Sequence, residues 1–399
     1  MLDKIFSNSI YLFFITFPLY IIGINIAGYP INIPTVILLV LSVVIFFRNR
    51  YVKITFYPYV CLIIWFFVSS IVQLKMGDFV FSLIFFVVVT LPLVAVLPDD
   101  FSNKKLLKSV IIGFYVSLVF SLITFIGNLY GQDIQSIFSL GSPKVYSWKI
   151  GAEIVRAKSS FLEPSYFAAY LVFVFMCIDS NKSNVKNVIL HYILISLAII
   201  ITFALTGYVL LLLYLLFAYV IKRKLKIKYL KILALILILI TFIFIMNPKV
   251  RNSFNVIFTE RIENIVDSED SKISSESIRK ESLMVIPNYY YDAGFFKSLY
   301  GEGFTNVKDW VSEKMHEQFK VNNFNIFMII PIIFLTSGII GTLLFIIFYY
   351  LFFMNHRVSV AVSVVAFLFL FTTGHLIMYF VWGLIFMCRF CNYDRGYIN

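Results

Sequence analysis

The chain has 399 residues, of which 61% are hydrophobic and only 14% charged, and its net charge is +12. A mean hydropathy of +0.91 excludes a water-soluble domain of this length. The positive charge is not read as a nucleic-acid signal. Much of it sits in short loops between apolar runs, as the positive-inside rule asks of a membrane protein.

Apolar runs of bilayer-crossing length, about 17–25 residues, recur from end to end and predict an all-α polytopic membrane protein with about twelve transmembrane helices. They fall at 8–27, 31–47, 55–74, 79–97, 107–129, 163–178, 187–205, 207–221, 229–246, 330–353, 358–373 and 375–388. A closed β-barrel would need short alternating strands, and the sequence has no such series. The first run follows only Lys4 and lacks a small-residue cleavage site, so it is expected as a retained helix rather than a signal peptide. The seventh and eighth runs join tightly at Thr206-Gly207. The stretch 323–353 exceeds one untilted span, and its first part is expected at the interface. Thr372-Thr373-Gly374-His375 is expected as the turn between the last two runs.

Lysine and arginine set the orientation. With a cytoplasmic N-terminus, the cytoplasmic loops hold Arg48, Arg50 and Lys53, then Lys104, Lys105 and Lys108, then Lys182 and Lys186, then the run from Lys222 to Lys228, and finally Arg357, Arg389 and Arg395. The opposite side receives short turns at Tyr29-Pro30, Lys75–Asp78, Thr206-Gly207 and Gly374, and two long polar segments, 130–162 and 247–322. Long segments count little in the rule. The expectation is a single transmembrane domain over 1–399 with two extracytoplasmic loops, the larger between spans nine and ten. Within that loop, helical spacing predicts a helix over 255–266, from Val256, Ile257, Ile262 and Ile265. A second is predicted over 276–291, from Ile278, Val285, Ile286 and Tyr289. Pro287 is expected to end or kink the second, and Gly301-Glu302-Gly303 to form a turn.

The candidate chemistry centres on Arg156-Ala-Lys158-Ser-Ser-Phe-Leu-Glu163-Pro164-Ser-Tyr166-Phe-Ala-Ala-Tyr170. A basic, hydroxyl-rich lead-in ends in Glu-Pro-Ser, and the chain then turns apolar. A carboxylate beside a hydrocarbon-length run is costly unless it has a partner or water. Pro164 suits a first helical turn, and Glu163 would face the positive end of the helix dipole. One reading is a capped helix start, and the other a substrate-facing site at the membrane surface. Arg156, Lys158, Glu163, Arg279 and His316 all fall on the extracytoplasmic side. The cations could neutralise a diphosphate, arginine in a bidentate way. Tyr146, Trp148, Tyr166, Tyr289, Tyr290, Tyr291 and Trp310 could stack on sugar faces, although interfacial aromatics are also ordinary anchors. His316 is a lone loop histidine, while His191 and His375 sit near apolar stretches and are expected to be packed or hydrogen-bonded. No Walker loop, dinucleotide glycine pattern or zinc spacing is present. No cofactor or metal is therefore expected. The Asp267–Asp270 acidic turn is read as solvated, and Cys388-Arg-Phe-Cys391, without a second pair, carries no metal assignment.

The block from Arg156 through Phe161-Leu-Glu163-Pro-Ser-Tyr-Phe-Ala-Ala-Tyr170 resembles the signature of O-antigen polymerases and of related capsule and exopolysaccharide repeat-unit polymerases. Leu205-Thr206-Gly207, Ser277-Ile-Arg279, Gly301-Glu-Gly303, Asn322-Asn323-Phe-Asn325 and Gly338-Ile-Ile-Gly341 follow in an order similar to the large-loop half of O-antigen polymerase and ligase proteins. The resemblance covers roughly residues 150 to 345. Ligases of this kind often carry a histidine before the asparagine where this chain has Val321-Asn322-Asn323, which favours polymerase over ligase. The resemblance implies a GT-C-like membrane glycosyltransferase of the bacterial cytoplasmic (inner) membrane, working on its extracytoplasmic face. Its substrates would be oligosaccharides on undecaprenyl diphosphate, and a chain-length regulator and a flippase are the expected protein partners. Glu163 is the leading candidate for the catalytic carboxylate and His316 the alternative base. Arg156, Lys158 and Arg279 are candidates for the diphosphate, and Tyr166, Tyr290, Asn322 and Asn323 for sugars. A flippase or exporter of lipid-linked sugars and an O-antigen-ligase-like enzyme are the rival readings.

Overall fold

The computed structural model describes residues 2–20, 22–26, 29–47, 56–72, 79–95, 102–129, 149–150, 154–155, 157–161, 163–222, 275–303, 328–355, 358–372 and 378–391. These hold α1 (Leu2–Thr16), β1 (Gly23–Ile26), β2 (Tyr29–Asn32), α2 (Ile33–Phe47), α3 (Phe56–Val72), α4 (Phe79–Ala95) and α5 (Asn103–Leu129). They continue with β3 (Lys149–Ile150), β4 (Ile154–Val155), α6 (Pro164–Ser180), α7 (Val188–Thr202), α8 (Leu205–Lys222) and α9 (Ser275–Tyr300). The last three are α10 (Ile329–Asn355), α11 (Val360–Phe369) and α12 (Tyr379–Cys388). The architecture is all-α, with two minor antiparallel hairpins, β1–β2 and β3–β4.

Two of the helices, over Asn103–Gly127 and Ile329–Met354, are long and apolar enough to cross a membrane, and eight shorter apolar helices run 10–17 residues. Their outward faces stay hydrophobic. Leu39, Val43 and Phe46 on α2, Val119, Leu122 and Ile126 on α5, and Leu343, Ile347 and Tyr350 on α10 are exposed. Buried serines and threonines such as Ser69, Ser70, Ser117 and Thr124 lie inside. A helix that is apolar all round is either central or lipid-facing, and α6 and α12 are central. Every residue of α6 from Pro164 to Asp179 and every residue of α12 is buried. α6 packs on α5, α7, α8 and α12, while α12 also packs on α4 and α11. Phenylalanines fill the join between α1 and these two. The Phe17 ring stacks on Tyr170 of α6 and Phe380 of α12, at a place where Gly383 leaves no side chain in its way.

Helix-end contacts sort into two sets. At one end, Tyr379 Oη donates to Phe17 O, Ser160 Oγ to Pro18 O, and Ile329 N to Leu370 O. At the other, Cys177 Sγ meets Met387 O, Asn181 Nδ2 donates to Phe390 O, and Ser359 N to Cys391 O. The first set belongs with Glu163, the second with Asp179.

Three expectations are corrected. The first apolar run is not helical to residue 27. α1 stops at Thr16, and Gly23–Ile26 pairs with Tyr29–Asn32 instead. β-branched residues favour that pairing, and Asn32 closes it by donating to Tyr20 O and accepting from Thr35 N and Thr35 Oγ1 at the start of α2. The chain between the seventh and eighth runs breaks at Phe203-Ala204, not at Thr206-Gly207. Phe203 adopts the left-handed conformation (φ 47°), and Gly207 lies inside α8, where a Cβ would stand 2.6 Å from Ala168 Cβ of α6. Pro287 does not end its helix. It sits inside α9, whose backbone leaves the helical region only at Gly294. The predicted ninth span (229–246), the predicted helix over 255–266, and residues 373–377 lie outside the described residues.

Candidate functional site

Residues 157–161 form a non-helical strap, and the structure buries it in the bundle although the sequence reading placed it at the end of a loop. Irregular backbone at such depth is tolerated only where other groups satisfy it, and here three of the strap's polar groups go to three different elements. Ala157 N donates to Ile201 O at the end of α7 (3.0 Å). Ser159 Oγ donates to Ser117 O near the middle of α5 (2.6 Å). Ser160 Oγ donates to Pro18 O just beyond α1, and Phe161 N turns back to Lys158 O (3.1 Å). Ser159 accepts a left-handed φ of 54° to make this path. The strap therefore joins α1, α5 and α7 just before α6 begins, its two serine hydroxyls supplying the ties to α5 and to the end of α1.

The break between α7 and α8 belongs to the same construction. A helix end leaves carbonyls without intrahelical donors. Ile201 O takes the strap's Ala157 N–H, Ile200 O takes the Tyr208 hydroxyl (3.0 Å), and Thr202 Oγ1 accepts from Ala204 N (3.2 Å).

Glu163 stands at the N-cap of α6 with extended backbone, and Pro164 follows at the first helical position. Its carbonyl accepts from Tyr166 N (3.1 Å) and Phe167 N (3.3 Å). Its side chain does not cap the helix. The carboxylate is half-buried, and one of its oxygens, Oε2, accepts from Ser165 Oγ at 2.9 Å. Tyr20, in the link between α1 and β1, sits close by. Burial first, and the Glu163 charge second, push its phenol above the ordinary range. Tyr20 also stacks on Tyr379 at the start of α12. The mouth of α6 thus gathers a carboxylate, the Ser165 hydroxyl and the Tyr20 phenol, with the Lys158 strap leading into it.

Among the other expected site residues, Lys158 is buried in the strap, 3% exposed. Tyr166 does not present a ring to a sugar. It is buried, stacked on Phe380 at 5.2 Å. Tyr290 is exposed on α9 beside Tyr291. Arg279 lies on α9, in the part that precedes the Gly294 kink. Arg156, His316, Asn322 and Asn323 fall outside the described residues. His191 is hydrogen-bonded through both ring nitrogens on α7, with Nε2 3.3 Å from Tyr115 Oη and Nδ1 3.1 Å from Asn187 O.

α9 reaches the bundle at its C-terminal end. Gly301-Glu302-Gly303 forms the expected turn and plugs a break in α10 at Gly338. The carbonyls freed there are satisfied from outside the helix: Leu335 O by Glu302 N (2.7 Å) and Ser337 O by Trp65 Nε1 of α3 (2.8 Å). Trp65 in turn stacks on Tyr300 (5.3 Å). Ser337 is eight residues in from Ile329, about 12 Å along the helix, in the half of the bundle that also holds the mouth of α6.

The other end of the bundle carries a second polar group. Asp179, 4% exposed, accepts from Tyr192 Oη and Tyr214 Oη, each at 2.7 Å. The free thiols of Cys177 and Cys391 stand 3.6 Å apart beside it. Among the described residues no group of three or more His, Cys, Asp or Glu side chains is placed to hold a metal ion.

Sequence reasoning found Glu163-Pro164 because the chain announces it locally. It missed Tyr20 and Ser117, which reach the site from the link after α1 and from α5 and carry no local signal. Compared with known proteins, the chain matches no protein-family model, and a search of curated proteins finds no match to it.

Proposed function

We propose that the protein is a membrane glycosyltransferase that polymerises oligosaccharide repeat units carried on undecaprenyl diphosphate into surface polysaccharide. It would work at the outer face of the bacterial cytoplasmic membrane, in a twelve-span topology with the large loop between spans nine and ten. The observation that carries this reading is the half-buried Glu163 carboxylate at the mouth of the fully buried α6, approached by a basic, hydroxyl-rich strap. In the reaction, a terminal sugar hydroxyl of the incoming unit attacks the anomeric carbon of the growing chain. The bond from that carbon to the lipid diphosphate breaks with inversion, the diphosphate leaves with the electron pair, and Glu163 takes the hydroxyl proton. The leaving group needs its charge held rather than a further bond, and Arg156, Arg279 and Lys158 are assigned that task. Tyr290, Asn322 and Asn323 remain assigned to the sugars, and His316 is the alternative base.

One observation favours a second reading, export or flipping of the same lipid-linked sugars. Transporters build their sites from discontinuous helices, and α10 is interrupted at Gly338. Deleting the protein and sizing the cell's surface glycan separates the two. The polymerase reading expects a ladder collapsed to a single repeat unit. Loss of all surface glycan with lipid-linked units trapped inside indicates transport, and an unchanged ladder contradicts both.

A further inference from the structure

α9 and α10 are each interrupted at one glycine. Gly294 has φ 72° and ψ 171°, and Gly338 has φ 64° and ψ −162°. Both lie in a backbone region that essentially only glycine occupies. Their surroundings differ. At Gly338 a Cβ would collide with Leu299 O, so that joint is packed shut. At Gly294, among the described residues, nothing lies within 4 Å of where a Cβ would stand. The first joint is fixed and the second is open.

The open joint is bridged by side chains. Tyr289, ahead of Gly294, shares its one hydroxyl proton between Glu302 Oε1 (3.1 Å) and Lys297 O (3.3 Å), both beyond it. Lys297 Nζ adds an ion pair to the same Oε1 at 3.6 Å. Glu302 is itself anchored, because it is buried and its N–H is bonded to Leu335 O of α10. The Tyr289 ring is fully buried and sits edge-on to Phe334 of α10 at 6.0 Å. Burial, and after it the Glu302 charge, hold the phenol above its ordinary range, so it stays a donor.

We propose that Tyr289 and Glu302 are positioning residues. They latch the arm of α9 before Gly294, Ser275–Ala293, against α10 and so hold Arg279 in place for the polymerisation, a role that rests on the function proposed above. Long-range arrangements of this kind are set by a few bonds across a hinge, and here the hinge and its bonds are separable by mutation.

The test uses full-length protein in lipid nanodiscs with Cys61→Ser and spin labels at Met284→Cys on the arm and Leu343→Cys on α10, both exposed positions. With the latch intact, the inter-label distance distribution is single and narrow. Tyr289→Phe keeps the ring and removes the donor, and is expected to broaden the distribution towards longer distances. Glu302→Gln keeps an acceptor and is expected to stay near native. A Tyr289→Phe distribution identical to native overturns the proposal, and where that variant does not fold, Glu302→Ala is read the same way. In the same nanodiscs, Tyr289→Phe is expected to raise KM for the lipid-linked unit about tenfold, the equivalent of one net hydrogen bond, with kcat nearly unchanged. A native protein that makes no polymer but keeps the narrow distribution, broadened by Tyr289→Phe, rejects the function and supports the latch.

Discussion

At the scale of single residues, two carboxylates are held in opposite ways. Glu163 is half-exposed and takes one neighbouring hydroxyl from Ser165, whereas Asp179 is enclosed and takes two tyrosine hydroxyls from other helices. The second ties α6 to α7 and α8, and the first is the one assigned to the substrate in the proposed function. Glu163→Gln keeps the shape and removes the proton acceptor. It is expected to lower polymer formation about 10²–10⁴-fold at unchanged protein level, as measured by glycan sizing beside an immunoblot. Tyr214→Phe leaves Asp179 with one donor fewer. A hydrogen bond to a charged group is worth about 1.5–3 kcal/mol, so thermal unfolding in detergent is expected several degrees lower, with polymer length little changed.

At the scale of elements, the breaks do more than the helices. Gly338→Ala would force a side chain into Leu299 O and into a backbone region closed to it, at a cost of about 1–3 kcal/mol for the backbone alone. Its measurable result is a loss of folded, detergent-stable protein. The helices themselves were legible. Hydropathy alone gives α2, α3, α4 and α6 to within a few residues, because a buried or lipid-facing helix must be apolar along its whole length. The breaks were not legible. Phe203 is neither glycine nor proline, and its turn is held by Ala157, Tyr208 and Thr202, groups that the local pattern around it does not mark. Gly338 looks like an ordinary small residue in an apolar run until Glu302 N and Trp65 Nε1 arrive to satisfy its neighbours' carbonyls. Pro287 misled in the other direction, since a proline tolerated by its helix reads the same as one that ends it. At the site, Glu163-Pro164 and the strap's hydroxyls were visible, and their partners on α1, α5 and α7 were not.

At the scale of the whole molecule, the bundle has two chemically distinct ends. One gathers the mouth of α6, the strap, the start of α12 and the plug from α9, while the other gathers Asp179 and three buried thiols. In the proposed orientation the first end faces outward. A cysteine placed at exposed Tyr291 in a Cys61→Ser background is therefore expected to react with a membrane-impermeant maleimide added to intact spheroplasts. One placed at exposed Phe46 near the end of α2 is expected to react only after the membrane is opened. Labelling of Phe46→Cys from outside would reverse the orientation. The central claim is that the mouth of α6 joins lipid-linked sugar units, and its most direct measurement is polymer formation by the purified protein in liposomes supplied only with undecaprenyl-diphosphate-linked repeat units. The native protein is predicted to give products of increasing length and Glu163→Gln a single unlengthened unit. Equal ladders from the two proteins, or none from the native protein with authentic substrate, would contradict the account.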